Sequence, residues 1–123
     1  MNKIKLLSAA ATLLAASAAW AQDTRGKVQG RVTDASDAVV VGATVTLSND
    51  NTGIATNMVT NATGQYLFDF VTPGNYTVSV ELTGFRKFVQ KNVLVQARAD
   101  VTVDSRLETG STRESITVEA SPV

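Results

Sequence analysis

The chain is 123 residues long, with 11 Lys and Arg against 11 Asp and Glu, no His and no Cys. Serine–histidine and cysteine–histidine nucleophiles, and the His and Cys ligand sets of zinc and haem, are thereby excluded. Net neutrality without a basic run also removes the electrostatic footprint of a nucleic-acid binder, so no nucleic-acid partner is expected.

The first 21 residues read as a secretory signal peptide. Lys3 and Lys5 precede the apolar run Leu6 to Ala19, which ends in the small-x-small triplet Ala19-Trp20-Ala21. The run is shorter than the ~20 residues that span a bilayer, which argues against an uncleaved anchor. Cleavage after Ala21 leaves 102 residues with 9 basic and 11 acidic side chains, a mildly acidic exported domain. Small exported domains often rely on disulfides; without cysteine this one must rest on its hydrophobic core.

From Gln22 onward the chain holds 17 Val and 15 Thr, β-branched residues that favour extended backbone. Period-two alternation predicts strands at Val28–Thr33, Ala43–Ser48, Ile54–Thr60, Gln65–Val71, Asn75–Leu82, Lys87–Val95 and Asp100–Leu107. Seven short strands at this spacing predict an all-β, two-sheet sandwich. Parity assigns Ala43, Val45, Leu47, Tyr76, Val78, Val80, Leu82, Val101, Val103 and Leu107 to the core, and Thr44, Thr46, Thr77, Ser79 and Glu81 to solvent.

Turn chemistry separates these runs. Asn49-Asp-Asn-Thr-Gly53 predicts a hairpin loop, and Asn61-Ala-Thr-Gly64 a turn just before Tyr66. Thr72-Pro73-Gly74 suits a type II turn, which predicts an antiparallel hairpin with Tyr66, Phe68 and Tyr76 in its core. Asn61 and Asn75 head N-glycosylation acceptor patterns, read here as turn residues.

An ordered series emerges: Gly30-x-Val32-x-Asp34, Val41-Gly42-Ala43-x-Val45, Gly64-x-Tyr66-x-Phe68, Pro73-Gly74-x-Tyr76-x-Val78-x-Val80 and Gly84-Phe85. Across residues 27–108 it resembles the carboxypeptidase regulatory-like domain. That resemblance implies a seven-stranded Greek-key β-sandwich of the transthyretin type, with 22–108 as the domain. Asp37 stands where the family often has Gly, and Val41 where it often has Pro, which touches the first loop and not the fold. The family domain is the non-catalytic companion of metallocarboxypeptidases, and this chain has no histidine to hold zinc. No enzyme, cofactor or metal site is expected. Asp34-Ala-Ser-Asp37 and Asn49-Asp50-Asn51 gather oxygen atoms, but neither has EF-hand spacing, and Asx-turn chemistry is the reading.

After Leu107, Glu108-Thr-Gly-Ser-Thr112 reads as a polar flexible hinge, which makes 109–123 a linker carrying one strand-like segment. That segment, Glu114, Ser115, Ile116, Thr117 and Val118, followed by Glu119-Ala-Ser-Pro122, resembles the TonB box of TonB-dependent outer-membrane receptors. Ile116 and Val118 share a face, Glu114 sets a polar entry, and unpaired backbone can extend a partner's sheet. Pro122 would end the pairing. An eighth β-segment on the domain's own sheet edge, or a disordered tail, is the alternative.

Position favours the TonB-box reading. Oar-like receptors run signal peptide, regulatory-like sandwich, TonB box, then plug and barrel, and the first three occur here in that order. The resemblance implies the periplasmic N-terminal portion of such a receptor. Its partners would be a TonB-type energy transducer reached by strand addition and, if the chain is a fragment, the plug and barrel of the same receptor at the outer membrane. The competing expectation is a free-standing secreted module that binds a carbohydrate or a cell-surface protein. Exposure of Phe70, Phe85 and Phe88 separates the two, because sugars stack on planar aromatics.

Overall fold

β-Branched residues alternate with small polar ones along most of the chain, and the backbone answers with strands and no helix among the described residues. The structure is a computed structural model that describes residues 23–119. The expected leader at 1–21, and Ala120 to Val123 with Pro122, lie outside the described residues. Among the described residues nine strands are formed: β1 (Gly26–Asp34), β2 (Thr44–Asn49), β3 (Ala55–Val59), β4 (Gln65–Val71), β5 (Gly74–Glu81), β6 (Lys87–Val95), β7 (Asp100–Thr102), β8 (Ser105–Leu107) and β9 (Ser115–Glu119).

They make two sheets. One runs β4–β1–β7 with β8 also on β1, and the other runs β3–β2–β5–β6–β9. Between them lies a core in which Val28, Val32, Val45, Val78, Val80, Val95 and Leu107 are almost fully buried, with Tyr66, Phe68, Tyr76 and Phe88 beside them. Each large apolar side chain so buried contributes roughly 1.5–3 kcal/mol. The parity-assigned core residues fall inside as expected, Leu82 and Val101 being partly buried at its margin. The expected β-sandwich is the observed fold.

The strand count differs from seven for two reasons. The single strand expected at Asp100–Leu107 is broken in two, both parts parallel to β1: β7 against Lys27–Gln29 and β8 against Val32–Asp34. At the break the Val103 carbonyl accepts the Tyr66 hydroxyl at 2.5 Å, and the Asp104 carboxylate takes the Arg31 amide at 2.9 Å. These bonds divert the local backbone from the ladder. The second addition is β9, treated below.

The expected hairpin at Pro73-Gly74 is not formed. β4 pairs with β1 and β5 pairs with β2 and β6, so Thr72-Pro73 carries the chain from one sheet to the other. Gly74 does not take the positive φ of a type II turn and instead enters β5 opposite Val95. The Tyr76 hydroxyl donates to the Thr72 carbonyl at 2.5 Å and pins this crossing, a device of the tyrosine-corner kind. The Asn49–Gly53 hairpin does form: β2 and β3 pair antiparallel, the Asn49 amide donates to the Ile54 carbonyl at 2.8 Å, and Gly53 has φ 73°.

Thr60, which the sequence did not single out, holds the first loop. Its buried hydroxyl donates to the Val40 carbonyl at 2.8 Å and accepts the Ala43 amide at 3.0 Å, across the Val41-Gly42 turn. Thr60→Val keeps the shape and orphans both backbone groups, so a loss of about 2–4 kcal/mol is expected. Urea unfolding of the variant beside the native chain measures it.

Burial, then the nearby Asp104 charge, pushes the Tyr66 phenol above its ordinary range. Once pH exceeds ~10 the unfolded chain releases this proton while the folded chain keeps it, so rising pH favours unfolding. Tyr66→Phe is therefore expected to flatten the alkaline fall in stability relative to the native chain while lowering stability at neutral pH. Unfolding midpoints between neutrality and strong alkali measure both.

Candidate strand-donor site

β9 is positioned by a connection that the fold fastens. The Arg86 amide donates to the Glu108 carbonyl at 2.8 Å, Gly110 to Gly84 at 3.1 Å, Glu114 to Ser111 at 3.0 Å and Lys87 to Glu114 at 2.9 Å. Phe85 and Thr109 also form an isolated antiparallel bridge. The stretch expected to be a flexible hinge is thus a turn tied to residues 84–87. Its polar composition hid these bonds, because they are made by backbone and leave no side-chain signature.

From Ser115 the chain lies parallel to β6, with Lys87 opposite Ser115, Phe88 opposite Ile116, Val89 opposite Thr117, Gln90 opposite Val118 and Lys91 opposite Glu119. Register partners point to the same side of a sheet. Ile116 therefore shares the inner face of Phe88 and is half-buried, while Val118, further along the rim, is 41% exposed. Ser115 and Thr117 are exposed, and the outer edge of β9 has no strand on it among the described residues.

Charge gathers at the entry to β9. The Arg86 guanidinium lies 2.9 Å from the Glu114 carboxylate and 3.6 Å from that of Glu108. The closer contact is ionic, since Arg86 Nε lacks hydrogen-bond geometry to it. All three side chains are about half exposed, so each pair contributes at most about 1 kcal/mol. Arg86 had no sequence signal; its role follows from the fold alone.

The other motif residues build the scaffold. Gly30 lies under the Val103 carbonyl and the Tyr66 hydroxyl, where a Cβ would fall 1.9 Å from the former and 2.8 Å from the latter. Gly42, Gly64 and Gly84 all take positive φ, and Phe85 packs partly buried against the core next to Gly84. Asp34 accepts the Ser36 hydroxyl and then the Ser36 and Ala38 amides, which hold its carboxyl below the usual range. Asp37, standing where glycine is common, has φ 66°. Asn49 and Asn61 accept nearby amides in Asx turns, and Asp50 accepts the Thr77 hydroxyl. Among the described residues no three carboxylates stand together as metal ligands.

The aromatic residues are divided. Phe88 is buried, Phe85 is partly buried, and Phe70 is 64% exposed with the Arg25 guanidinium 4.9 Å from its ring centre. Phe70 borders a cleft of about 270 Å³ between the rims of the two sheets, shared with Leu47, Ile54, Phe68 and Tyr76. A second, wider hollow of about 550 Å³ lies over Gln29, Arg31, Met58, Leu67 and Asp104. One exposed ring makes a poor stacking platform for a sugar.

The family model of the carboxypeptidase regulatory-like domain matches residues 27–108, and the chain belongs to that family. No curated protein matches it. Among solved structures it is similar to the Bacillus anthracis TIE protein, at 20% identity and TM-score 0.60, over 70% of this chain and 17% of that one. A proposed carbohydrate binding protein from Bacteroides uniformis aligns at 20% identity and TM-score 0.56, over 68% and 41% of the two chains. Hydroxyquinol 1,2-dioxygenase from Pseudomonas putida aligns at 11% identity and TM-score 0.57, over 72% and 58%. At such identities the likeness is one of fold, shared by a binding protein and an enzyme alike. The chain spans less than two thirds of each of these proteins.

Proposed function

We propose that this protein is the non-catalytic periplasmic N-terminal module of a TonB-dependent outer-membrane receptor. In this reading Glu114 to Val118 donate a strand to the inner-membrane energy transducer, and the sandwich spaces and regulates that contact. The observation that carries it is the state of the segment itself: Ser115–Glu119 is already extended, sits at the rim of a sheet and, among the described residues, is paired on one side only. An extended rim strand held by a single neighbour is an element that β-addition can take over. The order of leader-like sequence, family domain and TonB-box-like segment supports the same reading. Membership of the regulatory-like family supports a non-catalytic role for the sandwich.

Transport would belong to a plug and barrel beyond this domain, since a membrane barrel needs at least eight strands of ~9–11 residues. Fractionated membranes probed with an antibody against the sandwich test this directly. A band of large-receptor size in the outer membrane is expected. A soluble periplasmic species of one-domain size would favour the second reading, a free-standing binding module, for which exposed Phe70 and its cleft are the supporting feature.

A further inference from the structure

We propose that the Lys87–Lys91 edge of β6 is a strand-binding site of the sandwich itself, holding Ser115–Glu119 in competition with the transducer. The inference rests on the functional reading above and concerns the regulation of the same segment.

The site has defined ends. Asn92, at φ 58°, interrupts β6, and the pairing of β6 with β5 shifts register between Tyr76 and Val78. The straight part of β6 is therefore Lys87 to Lys91, and β9 occupies all of it, Ser115 to Glu119. Its chemistry is complementary. Arg86 beside the edge holds Glu114 at the strand's entry, and Lys91 and Glu119 are register partners at its far end, while the Lys87 ammonium is taken by Glu81 of β5 at 3.0 Å. Buried Phe88 stands beside Ile116 on the inner face, which gives that position an apolar neighbour.

The register also says which backbone groups are committed. The Lys87 amide donates to the Glu114 carbonyl, and in a parallel ladder the following bonds fall to Ile116 and Val118, while Ser115, Thr117 and Glu119 turn their groups outward. The groups of Ile116 and Val118, the two apolar residues of the segment, are thus taken by β6. With the Ile116 side chain half-buried and Glu114 held by Arg86, a partner that reads all three must draw the strand off. A segment free only part of the time binds with an affinity reduced by that fraction.

The test uses the full chain, a synthetic peptide of residues 112–122 and the periplasmic domain of the transducer. The peptide is expected to bind about tenfold more tightly than the full chain, and Arg86→Glu, which sets a third carboxylate against Glu108 and Glu114, to bring the chain within about twofold of the peptide. The chain has no cysteine, so Val89→Cys with Thr117→Cys, register partners, can lock the strand down. The closed disulfide should remove binding and reductant restore it. Amide exchange in the native chain should protect Ile116 and Val118 and leave Ser115 and Thr117 fast, with protection lost in Arg86→Glu.

Equal affinity of peptide and native chain, or binding unaffected by the closed disulfide, would overturn the competition and point to addition on the outer edge of β9. Uniformly fast exchange from Ser115 to Val118 would overturn the site. A peptide that fails to bind overturns the functional reading and the competition with it, and the exchange pattern then decides the strand-binding site alone.

Discussion

Gly30→Ala is expected to destabilise the domain by about 4 kcal/mol or more, well above the usual cost of a single substitution. The added Cβ would fall 1.9 Å from the Val103 carbonyl oxygen, which is main chain and already bound to the Tyr66 hydroxyl. Relief requires moving the β7–β8 crossing away from β1, which breaks the Val103 to Gln29 backbone bond of 2.8 Å and the Tyr66 anchor together. For a domain of this size the melting temperature should fall by roughly 15–30 °C. Gly110→Ala is the control. The three atoms nearest its Cβ would all belong to the Arg86 side chain, the closest being Cγ at 2.6 Å, and a flexible side chain can turn aside. A change below about 1 kcal/mol is expected there. Thermal unfolding of the two variants beside the native chain checks both.

Ile116→Pro should abolish binding to the transducer while leaving the sandwich folded. Proline removes the amide that a strand at this position must donate and disfavours the ladder on either partner. The loss of stability should stay near 1 kcal/mol, because β9 is a rim strand whose side chains are half-buried at most. Calorimetric titration with the transducer domain reads the first effect and denaturant unfolding the second. Retained binding with a folded sandwich would show that the segment is not the donor.

The sandwich was legible in the sequence because period-two alternation reports burial directly: Val45 and Leu47, Tyr76 to Val80, and Val103 with Leu107 all point where parity put them. Pairing was less legible. Pro73-Gly74 has the composition of a hairpin turn, but turn residues say that the chain bends and not whether the strands they join share a sheet. That depends on pairings between segments distant in sequence, such as β5 with β2 and β4 with β1. The break at Val103 was hidden for the same reason, since its cause is a tyrosine 37 residues away in sequence.

For the candidate site, the Ile116–Val118 segment was visible as an alternating apolar pair. Its seat on β6 was not, because neither Arg86 nor the Asn92 interruption has a local signature. The alternative weighed from the sequence, an extra segment on the domain's own rim, describes where the strand lies in the isolated chain, and its donation to a transducer stands as the proposal.

The measurement that bears most directly on that proposal is a titration of the isotope-labelled full chain with the transducer's periplasmic domain, followed by amide shifts. Shifts are expected to concentrate on Glu114 to Val118 and on the β6 edge they leave, with the amides of β1 and β4 unmoved. Silence at millimolar transducer would contradict it, as would shifts confined to the cleft beside Phe70, and either result would return the chain to the class of free-standing binding modules.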